Sequence, residues 1–593
     1  MIRSFAPHPL RLGLRAAGVL LLTFALALPA FAQRLPDHLP ADTVLALGVV
    51  DLASHADLLD GVLADWERFG VGAALERAFG DVDPGMLGVP LDGTDMDGVE
   101  LPAGLEGLEL LDLLGREAWI GVSVSPFNPL PSVTLLALVD DATGARFDAL
   151  LAETAAESGA QTLREGDASI VAVIVDGLPI AAARYGELLA LSSNPDALRG
   201  VLRAAQGGSD PSFADSAGYA GTLGTMAPGQ LYGFLDLEPL ARALTPLAGG
   251  LGFDRSVARI AAMLETFGTS AGVARITSRG SESESVQLLR ADGRDPALYA
   301  LLAADAGGVP PQLLDAIPAE AVSVSATSGD PSAIYDYLLT LLRELPELAL
   351  SDPEGLLRDL VGVDLRGDVF SWMGNGSMTV TTGFGAAVDP GVPGEDLLGE
   401  SALVFLSNDD AAARAGLERT GVMLASMVSA FADPMGAGGM VQPERRDVAG
   451  VTVTSFVVFP GLELHVAAMS GYALVATSAG AADAVARAIG AGGVLPDTLA
   501  RLLPEVPAEA SSFTVSDDRA TLLGTADQLT MQVQLLAGLT AGAGLDFEAV
   551  EDASAALEGF MQALAERLGG TVSYSVSDGA VLRGVSRSEI DWR

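Results

Sequence analysis

An internal repeat constrains this 593-residue chain more than any other feature, because a pattern used twice implies a fold built twice. The first copy opens with Leu39-Pro40-Ala41-Asp42-Thr43-Val44, and the second opens with Ile317-Pro318-Ala319-Glu320-Ala321-Val322. Each motif leads into an apolar strand and then into a helix that begins at a capping residue, Ser54 in one copy and Asp330 in the other. The order of elements is therefore predicted to repeat along the chain.

The clearest repeated segment is a meander of three antiparallel strands joined by glycine turns. Its predicted strands are Ile170–Val175, Pro179–Arg184 and Leu188–Ser192 in the first copy, and Val451–Phe459, Leu464–Met469 and Ala473–Thr477 in the second. A helix is predicted after each meander. Each copy then closes with a further helix, Phe253–Phe267 or Phe547–Leu568, and a hairpin.

These matches predict an α+β fold with two tandem homologous units, each an antiparallel sheet (a β-meander) with packed helices. The first unit is predicted to span residues 33–305 and the second residues 312–593. Between them, residues 306–311 have the glycine and proline content of a linker. A chain of this length also exceeds what one ordinary hydrophobic core organises.

The opening motif Leu39–Val44, the strand that ends near Asp51, and the segments Gly186–Ser193 and Ala227–Leu231 carry a resemblance. They resemble an exported bacterial family catalogued as domain of unknown function 3352. The matching motifs are turns and strand starts. The resemblance therefore implies an exported protein and this architecture, and it implies no catalytic residue.

Residues 1–32 follow the pattern of a secretory signal peptide. Three arginines precede the apolar stretch Ala16–Leu28, and Pro29 precedes the small-residue site Ala30-Phe31-Ala32. Cleavage near Ala32 would place the mature protein in the periplasm or outside the cell. The alternative is an uncleaved anchor, but the apolar stretch is short and ends at Pro29. No later stretch is apolar and long enough to predict a transmembrane segment, so a soluble mature protein is expected.

The mature chain is expected to be strongly acidic. Loss of three of the 33 basic residues, and of no acidic residue, leaves 30 basic groups against 77 acidic groups, a formal charge of −47. Such a surface repels nucleic acid and anionic lipid, and it fits adaptation to a salt-rich, halophilic environment. The chain contains no lysine and no cysteine, so disulfides and thiolate metal sites are excluded.

Few residues of the usual catalytic types are present. Without lysine or cysteine, Schiff-base and thiol chemistry are excluded. After signal removal only His38, His55 and His465 remain, with no paired-histidine zinc spacing, and a structural role is predicted for each in preference to a catalytic one. A serine nucleophile elbow is not found either. No catalytic residue and no cofactor are therefore predicted.

The densest acidic cluster, Asp92, Asp95, Asp97 and Glu100, offers oxygen ligands that suit Ca²⁺. It does not fit the EF-hand loop, because glycines stand where that loop needs ligands. A solvated acidic loop is the alternative interpretation, and the high overall negative charge favours it.

Met423 and Met427 lie at helical i, i+4 spacing, with Phe431 one turn further on. The mean hydropathy of +0.38 is high for so acidic a chain, which suggests apolar surface reserved for a partner. These three side chains are predicted to form one wall of an apolar ligand groove. The competing interpretation is that they complete the core of the second unit, and Cu(I) binding by the methionines is a further alternative.

Together these features predict an exported, non-catalytic binding or scaffolding protein of the bacterial envelope. Its partner would be an unknown envelope protein or an apolar small molecule. The alternative is a carboxylate-dependent hydrolase, because carboxylates are abundant and such pairs are recognised by spatial separation. An apolar cleft without titratable groups would favour binding, and a pair of acids in a polar cleft would favour hydrolysis.

Overall fold

The computed structural model describes residues 35–51, 56–79, 116–125, 128–156, 160–175, 178–242, 254–304, 307–344, 362–383, 400–432, 443–459, 462–526 and 547–592, with 352, 354–355 and 358–359. These residues form two compact units. Residues 35–51, 56–60 and 116–299 belong to the first unit, and residues 61–79 and 300–592 belong to the second, with the gaps just given.

The first unit contains an antiparallel sheet of ten strands. They are β1 Thr43–Val50, β2 Glu117–Ser125, β3 Asn128–Leu138, β4 Gln161–Glu165, β5 Ala168–Val175, β6 Leu178–Tyr185, β7 Leu188–Ser192, β8 Leu231–Asp236, β9 Thr269–Thr277 and β10 Gly280–Leu288. Within this unit the strand order is β4-β5-β6-β7-β3-β2-β1-β8-β9-β10. The meander β5-β6-β7 therefore lies beside β3, and β1 lies between β2 and β8.

The second unit contains ten strands as well. They are β11 Ser323–Ser328, β12 Met373–Gly383, β13 Glu400–Ser407, β14 Glu444–Val448, β15 Val451–Phe459, β16 Leu462–Met469, β17 Tyr472–Ala476, β18 Ser512–Asp517, β19 Leu568–Asp578 and β20 Val581–Ile590. Their order is β14-β15-β16-β17-β13-β12-β11-β18-β19-β20, and all pairs are antiparallel. This is the strand order of the first unit.

Helices connect the strands. The α-helices are Ala56–Arg68, Val71–Phe79, Asp141–Ala156, Pro195–Ala205, Ala217–Gly221, Asp254–Phe267, Pro296–Leu302, Pro331–Glu344, Asp410–Ala432, Ala479–Ala491, Asp497–Leu502 and Phe547–Arg567. Residues 237–242 and 518–526 are also helical. Short 3₁₀ turns span Leu35–Asp37, Phe213–Asp215, Leu223–Thr225, Pro311–Ala316 and Leu503–Glu505, and a π turn spans Leu365–Phe370. Within the described ranges, no helix combines the length and hydrophobicity that a bilayer crossing requires.

Local sequence explains these elements. In helix Pro195–Ala205, for example, the Asn194 side chain accepts a hydrogen bond from the Asp196 N–H, and Pro195 takes the first helical position. The buried residues Leu198 and Val201 follow at helical spacing and face the sheet. Strand β5 instead has an apolar sequence rich in β-branched residues, which favour strands. The α+β class predicted from the sequence is confirmed.

Both faces of each sheet carry buried apolar side chains. Face 1 of the first unit carries Trp119 and Tyr232, and face 2 carries the alternate side chains, such as Leu47. On face 1, the fully buried Trp119 lies 5.4 Å from Tyr232 between ring centroids. On face 2, Phe147 of helix Asp141–Ala156 packs with Leu189. The core of the first unit therefore lies on both sides of its sheet.

The second unit repeats this division. Its face 1 carries Val324, Val380 and Val515, which pack in one cluster with helix Ala479–Ala491. On face 2, Phe456 packs in a second cluster with residues of helix Asp410–Ala432.

The linker predicted at 306–311 stays a prediction, and the two compact units divide the chain as follows. Residues 61–79 group with the second unit, where Ala74 packs against Ala549 and Ala553 of helix Phe547–Arg567. Within the predicted linker, the Val309 N–H donates to the Ala510 carbonyl at 2.8 Å. Backbone hydrogen bonding thus attaches this segment to the second unit, which its glycine and proline content does not reveal.

Candidate functional site: a groove with a glycine floor

A groove of about 420 Å³ lies over four neighbouring strands of the first unit, β1, β8, β9 and β10. Its floor follows from cross-strand pairing. Leu47 pairs with Gly233, Gly233 pairs with Gly272, and Gly272 pairs with Ser285. Paired residues in antiparallel strands project from the same face, so two adjacent positions of face 2 carry no side chain.

The space above these glycines is open. A Cβ atom added to Gly233 would have no heavy atom within 4 Å. One added to Gly272 would lie 3.5 Å from the Glu284 carbonyl oxygen and 3.9 Å from the Ser285 Cβ, which are ordinary contacts. The absence of side chains at these two positions therefore leaves the depression open.

The lining is apolar along most of its length and polar at one end. A second row of paired residues, Leu231, Ala274 and Ser283, runs beside the glycine row. Ser283 and Ser285 both come from β10, so the hydroxyl groups lie at the β10 end. The carboxylate of Glu284 pairs with Arg275 at 3.4 Å, and Glu284 alternates with the two serines along the strand. The groove thus offers an apolar surface with neutral hydrogen-bonding groups at one end.

The same position in the second unit has different chemistry. The β11–β18 ladder and the β1–β8 ladder each contain five residue pairs. Ser325 and Thr514 form the central pair of the first ladder, and Leu47 and Gly233 form the central pair of the second. Ser573 and Ser586 continue that row. The Thr514 hydroxyl donates to the Ser325 hydroxyl at 3.0 Å. Where the first unit leaves a groove, the second places hydroxyl groups that bond to one another.

A buried polar cluster distinguishes the second unit at another place. His465 on β16 is 1% exposed, and its Nδ1 lies 2.7 Å from the Ser455 hydroxyl. Arg446 donates to Ser455 at 2.8 Å and to Asp483 at 2.6 Å. Burial, and then the positive charge of Arg446, lower the pKa of His465 to about 4. The imidazole is therefore neutral at ordinary pH.

This cluster contains the serine–histidine hydrogen bond of a catalytic pair, but its serine is not accessible to a substrate. Ser455 is 8% exposed, and Glu463, whose carboxylate lies 3.5 Å from His465 Nε2, stands on the same strand as the histidine. A nucleophile must reach its substrate, whereas this hydroxyl is buried and accepts a hydrogen bond from Arg446. In this arrangement Ser455 is a buried polar group and not an accessible nucleophile.

The sequence-predicted site residues have different outcomes. The candidate calcium ligands Asp92, Asp95, Asp97 and Glu100 lie outside the described residues, as does His55, so the Ca²⁺ site stays a prediction. Met423 is half-buried on helix Asp410–Ala432. Met427 and Phe431 belong to the same helix, and their side chains lie outside the described part. The methionine groove also stays a prediction.

Sequence reasoning missed the glycine floor and the Ser455–His465 contact. A weak signal existed for each. Gly233 and Gly272 interrupt apolar strands, and an isolated glycine in a strand often marks a close approach or missing packing. Ser455 replaces an apolar residue in the alternating row that begins with Val451 and Val453.

Comparisons of the chain with family models, with curated proteins and with solved structures found no match. The resemblance to domain of unknown function 3352 therefore stays a prediction from the sequence motifs.

Proposed function

We propose that the protein is an exported, non-catalytic binding protein of the bacterial envelope, and that it holds an elongated apolar molecule in the groove of the first unit. The single observation that carries this proposal is the paired Gly233 and Gly272, which leave apolar space on a sheet face. A volume of about 420 Å³ falls within the range of small-molecule sites.

The shape of the groove favours an acyl or alkyl chain. Four strands at the usual spacing span roughly 14 Å, so the floor is long and shallow. Apolar contact along such a floor is favourable in proportion to the area removed from water. Ser283 and Ser285 would bond to a neutral or weakly polar group at one end of the ligand.

The remaining parts of the proposal rest on the sequence. Export is supported by the signal-like residues 1–32, which imply a periplasmic or secreted protein. The identical strand order of the two units supports their origin by duplication. Their chemistry differs at the central pair of face 2, Leu47 with Gly233 in the first unit and Ser325 with Thr514 in the second. This difference is then a divergence in which the first unit keeps the ligand site.

Filling the groove tests the proposal. In the double variant Gly233→Val and Gly272→Val, the added side chains enter open space and should not clash. We expect at least a tenfold loss of affinity for a dansyl-labelled fatty acid, about 1.4 kcal/mol or more, because valine occupies the ligand's place. Fluorescence titration measures the affinity, and circular dichroism checks that the variant is folded.

The control is Thr514→Val, which places the same valine side chain at the corresponding position of the second unit. Affinity should remain within about twofold of the unmodified protein. Absence of fatty acid binding by the unmodified protein, or unchanged affinity in the filled variant, would refute the groove. If Met423→Gln with Met427→Gln abolishes binding while the filled variant retains it, the site lies on the methionine helix instead.

A further inference from the structure

Arg446, Ser455 and His465 occupy positions of the second unit whose counterparts in the first unit are apolar. The β6–β7 ladder and the β16–β17 ladder each contain five residue pairs. Ala181 belongs to the first pair of one ladder, and His465 belongs to the first pair of the other. By the same registers, Ala172 stands at the position of Ser455, and Leu163 at the position of Arg446. The fold thus forms with two alanines and a leucine at these positions, so it does not require the polar cluster.

The hydrogen bonds of the cluster run in one direction. The Arg446 guanidinium has only donors, so Ser455 accepts its hydrogen bond. The hydrogen of the Ser455 hydroxyl is then available for Nδ1 of a neutral His465, 2.7 Å away. In this neutral form each contact pairs one donor with one acceptor, and Arg446 carries the only positive charge among these three residues.

Protonation at Nδ1 disrupts this arrangement in two ways. The Ser455 hydroxyl has to turn and accept from Nδ1 as well as from Arg446, and an imidazolium cation then lies 3.4 Å from Arg446 Nη1. Three elements place charged groups near His465. Strand β14 contributes Arg446 and Glu444, and helix Ala479–Ala491 contributes Asp483. Strand β16, which carries His465, contributes Glu463. Strands β15 and β17 present Ser455 and Ala476, neither of which titrates at these pH values.

We infer that this cluster is an acid-sensitive contact that holds β14 and helix Ala479–Ala491 against the second sheet, and that protonation of His465 loosens both. Arg446 is the connecting group. It reaches Ser455 on the sheet and, through a bond of 3.0 Å from Nε, Asp483 on the helix. The first unit, with leucine and alanines at these positions, lacks this response.

The direction of the effect follows from proton linkage. His465 has a pKa of about 4 in the closed form and regains the ordinary value of 6.5 when exposed. The open form therefore binds the proton more tightly, and opening becomes favourable as pH falls below about 6.5. Between about pH 7 and about pH 5, the open population should rise roughly twentyfold. At pH 5 most ordinary carboxylates remain ionised, so they contribute little.

Hydrogen exchange measured by mass spectrometry tests this on the full chain. After correction for intrinsic rates, peptides from residues 444–459 and 479–491 should exchange about twentyfold faster at pH 5 than at pH 7. The corresponding peptides, 161–175 and 195–205, should change much less. Equal acceleration in both units would overturn the inference.

Two variants make the test specific. Arg446→Leu with Ser455→Ala and His465→Ala installs the residues of the first unit, and it should remove the difference between pH 7 and pH 5. His465→Gln keeps a hydrogen-bond acceptor that does not titrate, so it should also remove the difference if the triple variant fails to fold. Persistence of the acid response in His465→Gln would assign it to other groups and overturn the role of His465.

Discussion

A Gly48→Val variant should lose about 3 kcal/mol of stability in the first unit, because the position of its Cβ is already occupied. A Cβ on Gly48 would lie 2.4 to 2.6 Å from three indole atoms of Trp119. The indole has little room to move, since it is fully buried and its Nε1 donates to the buried Glu117 at 3.1 Å. Overpacking of this kind forces the backbone or the indole out of place.

Gly233→Val is the matched control, because Gly233 lies in the neighbouring strand and projects from the opposite face. Its Cβ meets nothing within 4 Å, and valine is preferred over glycine in strands. Stability should stay within about 0.5 kcal/mol or rise slightly. Hydrogen exchange of the β1 and β2 amides measures the free energy of unfolding of the first unit in both variants, even if the two units unfold separately. Equal losses in the two variants would contradict the assignment of the faces.

Much of the fold follows from local sequence patterns. The meander is confirmed: strands predicted at Ile170–Val175 and Val451–Phe459 are observed at Ala168–Val175 and Val451–Phe459. The helix predicted at Phe253–Phe267 is observed at Asp254–Phe267. Period-two alternation, turn glycines and helical spacing are all local, which explains why they suffice for these elements.

The groove could not be predicted in the same way, because its floor depends on long-range pairing. β1 ends at Val50 and pairs with β8, which begins at Leu231. Nothing local places Gly233 beside Gly272, since the register of β8 against β9 must be known first. The sequence also predicts an apolar groove on helix Asp410–Ala432, where hydrophobic residues are dense, and that groove stays a prediction.

The position of the meander beside β3, rather than beside β8, likewise required the structure. The predicted elements alone allow either arrangement, since antiparallel strands can join at several edges. The acid-sensitive contact inferred above is more local, because its residues come from the consecutive strands β14, β15 and β16 and from the helix that follows β17. The sequence shows each of these residues, but the register of the strands was needed to bring them together.

Arg259→Met should destabilise the first unit by about 3 kcal/mol, because it removes the cation beside a buried carboxylate. Arg259 Nη2 lies 3.1 Å from Asp295, whose side chain is 1% exposed. Asp295 also accepts the Leu298 N–H at 3.0 Å, at the start of helix Pro296–Leu302. That hydrogen bond keeps the carboxylate in place, so it cannot turn to solvent when the arginine is lost.

Two further variants separate this loss from a general effect of charge. Glu265→Gln breaks the more exposed neighbouring pair with Arg294, 2.6 Å long, and should cost about 0.5 kcal/mol. Adding Asp295→Asn to Arg259→Met removes the buried charge but keeps a capping oxygen, so it should recover part of the loss. Hydrogen exchange of amides in helix Asp254–Phe267 measures the loss of stability in each variant. A loss from Arg259→Met no larger than that from Glu265→Gln would show that Asp295 is stabilised without this cation.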